Sequence, residues 1–356
     1  MKRCSYCGRE NDGQATHCLE CGTGLPVPPP IEPVPEHPVP PPPPRLVDLA
    51  QLDGAFTLAD GFSHPDWALI LRLVRERITP PEREAAWEEI ALQWVDRLRA
   101  DLGGAYRART SPRFILLSEL NADTTGALIA FMENARTYLQ DQLGEANRRR
   151  SWVKRVVLLF TEADDYYQYL SHFYRDGTHP LSAGCLIKHG YTHIAAPYYD
   201  LPTARSTLAH ELTHACLAHR RLPLWLDEGC ATTAEHRLAP GHRPILDPEL
   251  RDRHLAFWQK ERMQQFWAGT SFQEPGDASE LSYSLAEIMV SLISRDAPAF
   301  IAFLRHARHV DAGQTAALDC LGMSLGDVAG SFLGPGDWRP YRHKLVACWH
   351  RARPKD

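Results

Sequence analysis

The sequence predicts an α+β fold, one mixed sheet with a helical C-terminal part, preceded by a small cysteine-bearing segment and a proline-rich linker. Three observations carry this. Between residues 105 and 200, short apolar runs alternate with stretches whose apolar residues recur at three and four. Beyond residue 200 only the helical period continues, which favours segregated helices over a repeated strand-helix unit. Ahead of both, composition changes abruptly at residues 25 and 45, where cysteine, proline and ordinary globular text meet.

Taken in order, residues 1–25 hold four of the nine cysteines, as "CSYC" and "CLEC". Cys4, Cys7, Cys18 and Cys21 form two C-x-x-C knuckles, so four thiolates converge and can close a tetrahedral Zn²⁺ site with no open position. A segment this short lacks a core, and metal binding and folding are expected to be one event. Residues 26–45 are dominated by proline, which removes backbone donors and favours extended polyproline II, a semi-rigid tether.

Residues 46–104 read as a helical N-terminal extension. "HPDWALILRLVRERI" and "PPEREAAWEEIALQWVDRLRADLG" are two helices, with Pro80 and Pro81 between them. The main domain, 105–350, opens with a buried strand in "SPRFILLSEL", then a helix in "DTTGALIAFMENARTYLQDQLG". A second buried strand follows in "VKRVVLLF", and another helix in "EADDYYQYLSHFY". "AGCLIKHGYTHIAAP" reads as one or two short strands with a turn near His189 and Gly190, leaving His193 to Ala196 as an exposed edge. Here His193 is expected to face solvent, and His189 and His236 to be solvated or helix-end residues. Three further helical segments, around residues 281–296, 297–310 and 316–334, complete the domain.

Bulk properties exclude several classes. With 44% apolar and 23% charged residues and a net charge of -5, the chain reads as a soluble globular protein with no general attraction to polyanions. Bulk charge therefore does not predict a nucleic-acid binder. No secretory signal or membrane-length apolar run is visible, and the five remaining cysteines are scattered and odd in number, so a reducing cytoplasm is expected.

The chemistry concentrates in "LAHELTHACLAHRRLPLWLDEGCA", residues 208–231. On a helix, His210 and His214 lie on one face and can bring both imidazoles to a single ion, while Glu211 beside them is placed to take a proton from a water activated there. Thr203 is the expected N-cap, and Leu208, Leu212 and Cys216 form a neighbouring apolar face. A catalytic zinc needs a third protein ligand. His219, Asp227 and Glu228 compete for that role; the H-E-x-x-H-x-x-G-x-x-H pattern fails, because Leu217 and Arg220 stand where glycine and histidine are required.

"HELTH" followed by "LPLWLDEGCA" resembles the gluzincin metallopeptidases, whose H-E-x-x-H is followed by W-L-x-E-G-x-A. Trp225, Leu226, Glu228, Gly229 and Ala231 match it position by position. The resemblance implies a zincin-like peptidase domain with Glu228 as third ligand, Asp227 at the variable position, and a peptide or protein as substrate. It also implies that Tyr283, in "LSYSLAEIMVSLI", stabilises the oxyanion. The N-terminal segment is similar to short zinc ribbons, which implies a module that docks a protein partner or contacts nucleic acid. The expected cofactors are one catalytic and one structural Zn²⁺. Two other readings compete: a scaffold with a degenerate peptidase fold, and a SprT-like DNA-associated protease. Intact Glu211 disfavours the first. The leading rather than trailing ribbon disfavours the second.

Overall fold

The computed structural model describes residues 2–4, 9–12, 15–21, 45–147, 153–174, 183–239 and 247–341. The expected linker up to Pro44, Cys7, residues 148–152 and everything after Tyr341 lie outside these residues. Two compact units are present, Met1–Pro44 and Arg45–Asp356.

In the first unit, β1 (Lys2–Arg3) pairs antiparallel with β2 (Glu10–Asn11). The pair brings Cys4 toward the second knuckle, and Cys4 and Cys18 are buried together.

The second unit is α+β, built on a five-stranded mixed sheet in the order β5-β6-β7-β9-β8. Strands β6 (Phe114–Ser118), β7 (Arg155–Phe160) and β9 (His193–Pro197) run parallel. β5 (Arg107–Thr110) and β8 (Cys185–Ile187) are antiparallel edges. Helices cover both faces, which explains why the central strands are apolar without alternation. Phe114, Leu116, Val157, Leu159, Ile194 and Ala196 face one helical layer, and Ile115, Leu117, Val156, Leu158, Phe160 and Ala195 face the other.

The second of these layers contains α1 (Trp67–Arg77), α2 (Arg83–Leu102) and α4 (Ala163–Ser171), together with a hairpin of β3 (Phe56–Ala59) and β4 (Phe62–Pro65). The hairpin turns on Asp60 and Gly61, both at positive φ (52° and 78°), the two-residue geometry that matches strand twist. The first layer contains α3 (Ala122–Leu143), α5 (Leu201–Leu217), α6 (Leu224–Leu238), α7 (Pro248–Phe257) and α8 (Lys260–Ala268). It continues through α9 (Asp277–Ile293), α10 (Ala297–His306), α11 (Gln314–Leu321) and α12 (Leu325–Leu333). Among the described residues no single helix is long and apolar enough to cross a membrane.

Several expectations are corrected. The segment from His193 to Ala196 is interior, because β9 is flanked by β7 and β8, and the edge is β8. His193 is 1% exposed, and its Nε2 and Nδ1 lie 2.8 Å from the Tyr169 hydroxyl and the Tyr191 carbonyl. Alternation along β9 aims it into the aromatic layer. The N-cap of α5 is Asp200, whose carboxylate accepts from the Thr203 amide at 2.7 Å, with Pro202 in the first turn. His189 is half-buried against Phe173 rather than solvated, whereas His236 is a helix-end residue as expected, in the last turn of α6, and is held there by Glu287.

Candidate metal centre

α5 and α6 form a hairpin that builds the centre. Leu208, Leu212 and Cys216 of α5 are buried in the main core, as their spacing predicts, and fix the helix against rotation. α5 ends at Leu217, Arg221 takes a left-handed φ of 52°, and Pro223 opens α6. Trp225, 0% exposed, then anchors α6 by donating its indole N–H to the Ala312 carbonyl at 2.9 Å. Gly229 allows α6 to approach α9: a Cβ there would stand 2.6 Å from the Ala286 carbonyl oxygen. Much of the "WLDEGCA" pattern is therefore packing, and Glu228 is its chemical member.

This hairpin brings His210, His214 and Glu228 together. The two Nε2 atoms are 3.1 Å apart, and Glu228 Oε2 lies 3.3 Å from that of His210 and 3.4 Å from that of His214. Charge-assisted N–H···O bonds are typically about 2.7–2.9 Å, so these contacts are long for direct hydrogen bonds. Zn–N and Zn–O bonds of about 2.0–2.1 Å at tetrahedral angles place neighbouring ligand atoms ~3.3 Å apart. The triangle fits one face of such a tetrahedron. Glu228 Oε2 is buried with no hydrogen-bond partner, as an atom reserved for a cation would be.

Each imidazole is also held from behind. His210 Nδ1 lies 3.0 Å from Glu235 Oε2, and Glu235 accepts from the Ser206 hydroxyl at 2.5 Å. His214 Nδ1 lies 3.3 Å from Asp227 Oδ1. Glu235 directs the Nδ1–H of His210 toward itself, Asp227 lies behind His214 as its ion-pair neighbour, and the two Nε2 atoms converge. Burial by itself would lower His210, but Glu228 and Glu235 outweigh it and raise the imidazole to about 9. Against the same burial, Glu228 and Asp227 raise His214 well above its ordinary value. Burial opposes ionisation of Glu228, yet His214 and His210 hold it below the usual carboxylate range. Such a site favours a bound cation.

Glu211, 7% exposed, stands beside the histidines. Gly184, the residue before β8, packs across it: a Cβ there would meet Thr207 Cγ2 at 2.5 Å and Glu211 Cγ at 3.5 Å. The residue that leads into the edge strand thus packs against Glu211. Tyr283 of α9 is wedged against Phe272, with ring centroids 5.1 Å apart. Burial pushes its phenol up, and Glu228, Glu211 and Glu235 add to the rise, so it shares the centre's field. At the end of α4, burial pushes Tyr174 to about 12, with Cys185 and Glu211 contributing.

Glu235 and Ser206 escaped the sequence reading. Glu235 follows Glu228 by seven residues, two helical turns on the same face, and that spacing was the available signal. Asp227, expected as a flanking residue, is the partner of His214. His219 is half-buried beyond the end of α5 and belongs to neither candidate metal group among the described residues.

The N-terminal cysteines form the other candidate group, Cys4, Cys18 and Cys21. The Cys4 and Cys21 sulfurs are 3.6 Å apart, close to the ~3.8 Å edge of a tetrahedron with Zn–S bonds of about 2.3 Å. Asn11, 3% exposed, donates to the Cys18 sulfur at 3.5 Å and accepts from the Leu19 amide. Comparison of the chain with family models, with curated proteins and with solved structures finds no match.

Proposed function

We propose that this chain is a zinc-dependent metallopeptidase of the gluzincin kind, a zincin-like domain preceded by a structural zinc ribbon. The carrying observation is the His210–His214–Glu228 triangle, with a carboxylate behind each imidazole and Glu211 beside it. His210, His214 and Glu228 would hold the ion. Bound Zn²⁺ would supply Lewis acidity toward a scissile carbonyl and increase the acidity of a water.

The chain's own residues then divide the work. Glu211 accepts the proton of the attacking water and returns it to the departing amine. Tyr283 donates its hydroxyl to the developing oxyanion, where a preorganised donor acts most strongly. Glu235 and Asp227 fix the imidazole tautomers. β8, paired only with β9 among the described strands, presents an edge to which an extended peptide can add, above Glu211. Glu211 also distinguishes this reading from a scaffold, since holding an ion does not require it.

The test compares wild type with Glu211→Gln on a mixed peptide library, with zinc measured in both. Cleavage is expected to fall by about 10²–10⁴-fold with zinc content unchanged. Equal cleavage by the two proteins would overturn the assignment.

A further inference from the structure

Tyr283 and the ligand Glu228 lie on different helices, so the geometry of the centre depends on what fixes α9 against α6. The close approach at Gly229 sets their separation. It does not by itself fix rotation or sliding, because a glycine on a smooth helix face offers no directional contact. One directional contact is available. His236 Nδ1 of α6 lies 2.9 Å from Glu287 Oε1 of α9, and the side chains are only 9% and 12% exposed.

Both partners are adjacent to the chemistry in sequence. Glu287 is four residues after Tyr283, one turn along the same face of α9. His236 directly follows Glu235, the carboxylate that orients His210. The pair therefore ties the turn that presents the phenol to the turn that aligns the metal ligands.

We propose that the buried His236–Glu287 pair is a positioning device that holds Tyr283 at the height of the His210–His214–Glu228 centre; its catalytic consequence rests on the peptidase reading above. A purely structural clamp would alter stability alone. A positioning pair acts through Tyr283, and losing both must cost no more than losing Tyr283.

The experiment makes His236→Leu, which removes the donor, and His236→Gln, which keeps an N–H able to reach Glu287. Each is made with Tyr283 and with Tyr283→Phe. In the full-length zinc-loaded protein, His236→Leu is expected to lower kcat by about 10-fold through misplacement, with KM and zinc content unchanged. His236→Gln is expected to restore most of it, and His236→Leu in the Tyr283→Phe background to add no further loss. Amide hydrogen exchange around residues 281–287, read without turnover, is expected to quicken in His236→Leu and recover in His236→Gln. Should His236→Leu not fold, Glu287→Ala removes the same contact without stranding a carboxylate, and the same pattern is expected.

Losses that multiply between the two sites, or exchange at the Tyr283 turn that stays unchanged, would overturn the proposal. A wild-type protein that cleaves nothing would instead overturn the peptidase reading, and the exchange measurement would still decide whether the clamp exists.

Discussion

Two groups of histidines lie against opposite faces of one sheet, and they are handled in opposite ways. On one side, His210 and His214 are surrounded by Asp227, Glu228 and Glu235, and their affinity for a positive charge rises despite burial. On the other, His64 stacks on His172 with ring centroids 3.5 Å apart and planes 8° from parallel, among Phe62, Tyr169 and Phe173. The groups that shift His64 and His193 include no carboxylate. Burial, then His172 and His193, lowers His64 to about 3, and burial lowers His193 to about 4. The difference teaches that a cluster of imidazoles is not a metal centre by virtue of its histidines. A metal centre needs convergent lone pairs and negative charge around them, and parallel stacked rings among aromatics supply neither.

The comparison can be broken most sharply by removing negative charge from the first group. Glu228→Ala is expected to weaken zinc binding at the H-E-x-x-H helix by roughly 10²–10³-fold, following about 3–4 kcal/mol per ligand. Titration with a competing chelator measures it. An unchanged affinity would mean that Glu228 is not a ligand.

Acid should expose the second group. Because folding depresses His64 and His193, the unfolded chain binds their protons first as pH falls, so each group's contribution is neutral above about 6.5 and destabilising below it. Down to about pH 4, a loss on the order of 3 kcal/mol per group is expected. Urea unfolding of wild type and His64→Phe across that interval is the check. The variant should show a shallower acid limb, and superimposable limbs would contradict the account.

A smaller effect sharpens the role of the carboxylates behind the ligands. Glu235→Gln leaves a hydrogen-bond acceptor for His210 but removes the charge, and a loss of about 10-fold to 100-fold in zinc affinity is expected. Retention of full affinity would assign Glu235 to helix packing alone.

The contrast also shows what could be read from the sequence. Long apolar periods gave α3, α5 and α9, and uninterrupted runs gave β6 and β7, because burial on both faces leaves no room for polar alternation. The ligand-bearing face of α5 was legible because the helical period is a local property. Tertiary position was not: "GYTHIAAP" looks like an edge until Cys185–Ile187 is seen to pair outside it. His193, assigned to solvent, is a core residue because the face it points to is covered by Trp94, Tyr169 and Phe173. The β3–β4 hairpin carried a usable signal in Asp60-Gly61, but its short strands were hidden by the strong helical text that follows. Within the site, His210, His214 and Glu228 could be picked out, whereas Glu235 and the His236–Glu287 pair depend on how α6 meets α5 and α9. No local pattern encodes that meeting.

The most direct test of the central claim, that carboxylates turn one histidine group into a metal centre, is the zinc content of purified wild type against His210→Ala. The account predicts about two zinc ions per chain, one at each candidate group, falling to about one in the variant while the cysteine site keeps its metal. The same ratio in both proteins would contradict it.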